Sequence, residues 1–258
     1  VVHPLGSRGF QLTAVEHHVV LDGWSDVLLF EEIVAAFGGD ALRPAPVTTF
    51  ADYVALEQRR SSEPGSREFW STELHDARLP QLFGRRPVAE TDVRSEITRF
   101  PIAISAATSE EIRKLAARHG VSVRTVFVAA HVLAVAVASG QNDVLTGVIA
   151  NARPETADAD RLIGVFLNTL PLSVHTDDRS VSELIAEVHK WDARVAPHRY
   201  VPFGILERDL RGDIHLGDLP TYVNFMDFRR ADYRDGPVRM NDVRAVADTN
   251  FPAAVDFL

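Results

Sequence analysis

His17 and His18 precede an Asp22-Gly23 pair, separated from it by the aliphatic residues Val19, Val20 and Leu21. Histidine is suited to proton transfer near neutrality, because its unperturbed pKa is about 6.5. Asp-Gly is a turn signal: glycine admits positive φ, and aspartate bonds its own backbone. Upstream, Phe10, Leu12 and Ala14 alternate with other residues, which predicts a strand over residues 10–21. Neighbouring side chains on a strand point to opposite faces. Only one of the two histidines can then face a cavity, and the other packs inside. A structural histidine pair is the alternative reading. A shared metal ion fits poorly, since His17, His18 and Asp22 lack a helical i, i+4 histidine pair.

Other chemistries are harder to build from these residues. The chain has no cysteine, which excludes disulfides, thiolate metal sites and a cysteine nucleophile within it. It also lacks a G-x-S-x-G elbow, a P-loop and a G-x-G-x-x-G fingerprint. With 258 residues, 46% hydrophobic and 24% charged, it can form one large or two modest cores. The net charge of −9, with no basic cluster among aromatics, argues against nucleic acid as a partner. No charged-then-apolar leader opens the chain. The longest apolar run, residues 126–138, is interrupted by His131 and is too short to span a bilayer. These features predict a cytoplasmic protein without a membrane partner.

The remaining residues predict the elements that must hold the histidines. Ser25 reads as the N-cap of a helix through Phe37, stopped by Gly38-Gly39. Thr49 with Asp52 opens a second helix to about Arg60, and residues 66–74 form a third. Residues 75–94, with Pro80, Gly84 and Pro87, carry no periodicity, and 81–94 is the expected crossing between a lobe over 1–80 and another over 95–258. A strand is expected near 95–104, then a helix capped by Ser109 and ended by Gly120. Ser122 opens a helix over 123–138 that is apolar nearly all round and therefore buried, with His131 as a core histidine. A strand over 144–150, a loop into a strand over 162–174, a Ser180/Glu183 capping box with a helix to about Ala196, and a helix over 203–210 follow. Strands are expected near 221–228, 238–246 and 251–258. This mixture is an α/β sandwich.

His17-His18-Val19-Val20-Leu21-Asp22-Gly23-Trp24-Ser25 resembles the HHxxxDG signature of the condensation domains of non-ribosomal peptide synthetases. Further segments are similar to that family's other motifs, in the same order. Phe50-Ala51-Asp52-Tyr53 with Phe69-Trp70 resembles its mid-domain helical motif. Asn151-Ala152-Arg153-Pro154 resembles its GRP segment, with Ala152 in place of glycine. Ile163 to Leu172 resembles its IGxFxNTLxLR motif, with Ser173 at the basic position, and His198 to Phe203 resembles HQxYPF. HHxxxDG also occurs in other CoA-dependent acyltransferases, so the ordered set carries the resemblance.

The resemblance implies a chloramphenicol-acetyltransferase-like fold of two lobes, here with a partial first lobe and most of the second, as in a piece of a larger domain. It implies amide formation between a thioester on a donor carrier protein and an amine on an acceptor carrier protein. The phosphopantetheine arms arrive on those carriers, no cofactor is bound directly, and an adenylation domain is an expected neighbour. His18 is the expected central group, as general base or as hydrogen-bonding positioner, with the Gly23 N–H a candidate oxyanion donor. Asp22 is expected to be ionised and to pair with Arg153 across the lobe interface, fixing the turn. His17, Trp24 and Asn168 are expected as channel lining or structural support, and Gly164 at a tight bend. An inactive docking module and an epimerisation-type relative are the alternatives. The intact His18, Asp22 and Gly23 argue against the first, and the Phe166-Leu167-Asn168-Thr169 run against the second. A cyclisation variant would carry aspartates in place of the histidines.

Overall fold

A computed structural model of the protein describes residues 1–6, 9–82, 98–210, 214–226 and 251–257. They fall into two compact units. The first comprises Val1–Val54 with Arg153–Leu167, and the second comprises Ala55–Ala152 with residues 168–226 and 251–257. The first unit therefore takes in residues 153–167, which the sequence reading places with the lobe over 95–258. Of the expected crossing at 81–94, residues 83–94 lie outside the described residues, as does the strand expected at 238–246.

In the first unit, β1 (Val2–Pro4) and β2 (Phe10–Leu12) form an antiparallel hairpin with Val2 opposite Leu12. The predicted strand over 10–21 stops at Leu12, and the histidines stand on a turn. Local bonds replace a ladder here: Val20 N–H donates to His17 O at 2.9 Å, and Val19 N–H to His17 Nδ1 at 3.2 Å. Such short-range side-chain bonds compete with strand pairing. α1 (Gly23–Phe37) follows, its last residue touching Phe10 with ring centroids 5.6 Å apart. Its N-cap is Asp22, not Ser25: the Asp22 carboxylate accepts the Ser25 N–H at 2.8 Å. α2 (Phe50–Ser62) opens with the expected reciprocal pair, Thr49 and Asp52, and continues into the second unit after Val54.

The second unit holds α3 (Pro64–Glu73), α4 (Ala106–His119), α5 (Val123–Ser139), β3 (Asp143–Asn151), β4 (Leu167–His175), α6 (Val181–Val195), α7 (Phe203–Asp209), β5 (Thr221–Phe225) and β6 (Ala253–Phe257). The sheet order is β4-β3-β5-β6; β5 runs parallel to β3 and to β6. α3 begins two residues earlier than predicted, with proline at its first position, where the missing N–H is harmless. α4 is capped by Ser105, a turn earlier than Ser109, because the Ser105 hydroxyl accepts the Thr108 N–H at 3.0 Å. Both α4 and α5 end on left-handed glycines, Gly120 and Gly140. Residues 98–104, predicted as a strand, carry no regular structure. The core joins Val128 and Val132 of α5, Leu184, Val188 and Trp191 of α6, and Leu145 and Leu172 of the sheet. No single helix among the described residues is long and apolar enough to cross a membrane, although α4 and α5 together, bent by 104°, pass on length and composition.

His131 of α5 lies in this core, 4% exposed, 2.8 Å from the Thr146 hydroxyl, which in turn donates to Thr221 O at 3.2 Å. Burial pushes its pKa down to about 4. The folded value lies below the unfolded one, so the unfolded chain takes up the proton first as pH falls. Stability is therefore lost between roughly pH 6.5 and 4, by about 3 kcal/mol from this group. Urea unfolding of the protein and of His131→Gln at pH 7 and pH 4 checks this. The variant is expected to lose less on acidification by about that amount, and parallel losses would contradict it.

Candidate active site at the His18 turn

Asp22 is 1% exposed, and its carboxylate is fully engaged. Oδ1 accepts the Ser25 N–H at 2.8 Å and Oδ2 accepts the Phe166 N–H at 3.1 Å. Arg153 Nη2 donates to both oxygens, at 3.0 and 3.4 Å. Arg153, 7% exposed, also donates from Nη1 to Ala159 O and Leu162 O at 3.2 and 2.6 Å, and from Nη2 to the Ser25 hydroxyl at 2.9 Å. Its guanidinium lies over the Phe166 ring at 4.2 Å and the Trp24 ring at 5.6 Å. Burial draws Arg153 below the ordinary arginine range, against the pull of Asp22. The expected Asp22–Arg153 pair is thus present. Both partners belong to the first unit.

The clasp fixes the start of α1, and the turn carrying His18 runs directly into it. His18 Nδ1 lies 2.7 Å from Leu21 O. A carbonyl only accepts, so Nδ1 carries the hydrogen and, in the neutral ring, Nε2 is the basic nitrogen. His17 is the reverse: its Nδ1 accepts a backbone N–H, which leaves its hydrogen on Nε2. Two adjacent histidines therefore hold opposite tautomers. Both are exposed, so the expectation that one of them packs inside is corrected, and the reason is the turn that replaces the strand. Among the described residues no hydrogen bond engages His18 Nε2. Gly23 occupies the first helical position, where backbone N–H groups have no partner within the helix. Asp26 sits in the first turn of α1, and its carboxyl is raised above the usual range by burial, with Glu16 and Asp22 adding to the rise and His18 opposing it.

Trp24 donates Nε1–H to Asp160 O at 2.9 Å, which fastens it to the same segment as Arg153. Asn168 belongs to the second unit, and its carboxamide is spent on backbone. Nδ2 donates to Arg199 O and Val201 O at 2.9 and 2.6 Å, and Oδ1 accepts the Phe203 N–H at 3.1 Å. It staples the turn before α7. Asn168→Ala leaves those groups unpartnered and is expected to destabilise the protein by about 1–3 kcal/mol, read by denaturant unfolding. Gly164 stands at a bend, as expected; its φ of 159° is nearly extended, so what demands glycine there is space, because a Cβ would run into the Phe50 ring.

Sequence reasoning missed three participants. Ser25 is fully buried and bonded to Gly164 and Arg153. Phe166 supplies both an N–H to Asp22 and a ring to Arg153. Asp158 accepts Val47 N–H, Thr48 N–H and the Thr48 hydroxyl at 2.6, 2.9 and 2.7 Å, bonds that hold its pKa down at about 2. Ser25 and Phe166 are buried and Asp158 is half-buried, and burial is not readable from spacing. Among the described residues no three side chains of the metal-binding kind are grouped.

A family model described as the condensation domain matches residues 2–219. The AMB antimetabolite synthetase AmbE of Pseudomonas aeruginosa is 35% identical over 263 aligned residues, covering 98% of this chain and 12% of the relative. Chondramide synthase cmdD of Chondromyces crocatus is 28% identical over 247 aligned residues, covering 93% of this chain and 6% of the relative. The chain thus spans a small part of these synthetases. Among solved structures, the first condensation domain of the CDA synthetase aligns with a TM-score of 0.65 at 23% identity, over 83% of this chain and 48% of that one. A four-domain nonribosomal peptide synthetase bound to AMP and glycine aligns with a TM-score of 0.67 at 18% identity, over 83% of this chain and 17% of that one. Both show the chloramphenicol-acetyltransferase-like fold. The chain belongs to the condensation domain family.

Proposed function

We propose that the chain serves amide formation between an acyl or peptidyl thioester on a donor carrier protein and the amine of an aminoacyl group on an acceptor carrier protein. An α-amine has a pKa near 8 and is mostly protonated at pH 7. The site must favour the free amine and stabilise the tetrahedral species. His18 Nε2 accepts the amine proton as the new C–N bond forms and returns it to the departing thiolate as the C–S bond breaks, so the imidazole is regenerated. The Gly23 N–H is the oxyanion donor, and a glycine permits close approach. Asp22 and Arg153 hold the turn without exchanging protons.

The observation that carries this reading is the bond from His18 Nδ1–H to Leu21 O, which assigns the lone pair to Nε2. The phosphopantetheine arms are part of the substrates, and the partners are donor and acceptor carrier domains with an adenylation domain as neighbour. The test incubates the full protein with a loaded donor carrier and a loaded acceptor carrier and follows both by intact mass. The acceptor is expected to gain the mass of the donor acyl group while the donor returns to its free thiol. Acyl loss from the donor with no gain on the acceptor would overturn the reading.

A further inference from the structure

We propose that Ser25 is a positioning residue for His18, acting through the peptide group of Gly164; this rests on the function proposed above. The Ser25 side chain is 0% exposed, and its single oxygen makes three bonds. It donates to Gly164 O at 2.8 Å, accepts the Gly164 N–H at 3.0 Å and accepts from Arg153 Nη2 at 2.9 Å. That uses its one donor and two acceptor sites completely. Gly164 O also accepts the Asp22 N–H at 3.1 Å. Asp22 is bonded through its own amide to Leu21, whose carbonyl receives His18 Nδ1–H. A short path therefore leads from the Ser25 hydroxyl through Gly164 and the Asp22 amide to the carbonyl that sets the His18 tautomer.

The Asp22 carboxylate does not share this path. It holds the Ser25 and Phe166 amides and Arg153, which fastens the helix start as a body. Ser25 instead holds both peptide planes that meet at Gly164, and its bond to Gly164 O fixes the one that receives Asp22 N–H. Gly164 cannot be held there by a side chain of its own, because the Phe50 ring fills the position of its Cβ. Without the hydroxyl, Gly164 O loses the donor that holds its peptide plane and the Gly164 N–H in the preceding plane loses its acceptor, so the carbonyl that receives Asp22 N–H can rotate, which carries Leu21 O away from the imidazole. A free imidazole then distributes its hydrogen between both nitrogens, and part of the population presents N–H where a lone pair is required.

The test uses Ser25→Ala and the nearly isosteric Ser25→Cys in the full protein, with ring-15N-labelled histidine. Ring nitrogen shifts of His18, assigned by loss of its signals in His18→Ala, report which nitrogen is protonated. Wild type is expected to show hydrogen on Nδ1 alone, and both Ser25 variants a mixture. A misplacement of this order reduces kcat by about 10- to 100-fold, while KM for the acceptor carrier is expected to stay within about twofold of wild type, because the change reaches only the reacting nitrogen. Folded variants with the wild-type tautomer and kcat would overturn the proposal. So would a lowered melting temperature with kcat and tautomer unchanged, or failure of both variants to fold, since each makes the hydroxyl a packing element only. An altered tautomer with unchanged kcat would uphold the positioning path and count instead against His18 as the reacting group.

Discussion

Asp22→Ala is expected to lose most of its soluble folded protein, whatever the state of the histidines. The substitution removes the acceptor for two buried backbone N–H groups, from Ser25 and Phe166, and strands a buried guanidinium. Breaking a buried ion pair from one side destabilises by about 3–5 kcal/mol, and an N-cap lost to alanine adds about 1 kcal/mol. Arg153 keeps Ala159 O, Leu162 O and the Ser25 hydroxyl as acceptors, which places the sum near the lower end of that range. For a domain of this size the melting temperature should fall by about 10 °C. Asp22→Asn keeps an oxygen for the cap and should fall less. Arg153→Met on the Asp22→Ala background removes the unpaired charge and is expected to recover part of the loss, as apolar replacements of buried ion pairs do. An Asp22→Ala protein melting within about 2 °C of wild type would show that the clasp holds nothing together.

The elements built from local signals are legible in the sequence. The caps at Thr49, Ser122 and Ser180 and the glycine stops at Gly120 and Gly140 stand where their side-chain chemistry predicts. Errors arise where a residue has two competing local uses. Ser25 suits an N-cap by type, but Asp22, three residues earlier, takes the role and leaves the Ser25 hydroxyl for Gly164. The same competition displaces Ser109 by Ser105. The strand expected through the histidines fails because His17 and His18 bond backbone within their own turn, which alternation of apolar residues does not reveal. The pairing of Asp22 with Arg153 is reachable only through family resemblance, since 131 positions separate them. Asn168 shows the reverse limit: its type suits a substrate contact as well as a backbone staple, and only its three backbone partners decide between them.

His18→Ala, in contrast to Asp22→Ala, is expected to fold normally and to lose amide formation. The imidazole is exposed and, among the described residues, bonds only Leu21 O, so its removal strands one solvent-accessible carbonyl. Destabilisation should stay within about 0.5 kcal/mol. A general base contributes about 10²–10⁴ in rate, so the rate of acyl transfer between carriers should fall by that factor, with the far-UV spectrum and melting unchanged. His18→Gln separates two roles of the ring. A glutamine amide can bond and orient the amine but cannot take up its proton at neutral pH. If Nε2 serves as the base, Gln is as slow as Ala, and raising the pH toward 9 accelerates both variants as the amine loses its proton to solvent. If the ring only orients the nucleophile, Gln retains much of the wild-type rate at pH 7. Transfer by His18→Ala at the wild-type rate would remove the residue from the reaction and leave its fixed tautomer without a catalytic use.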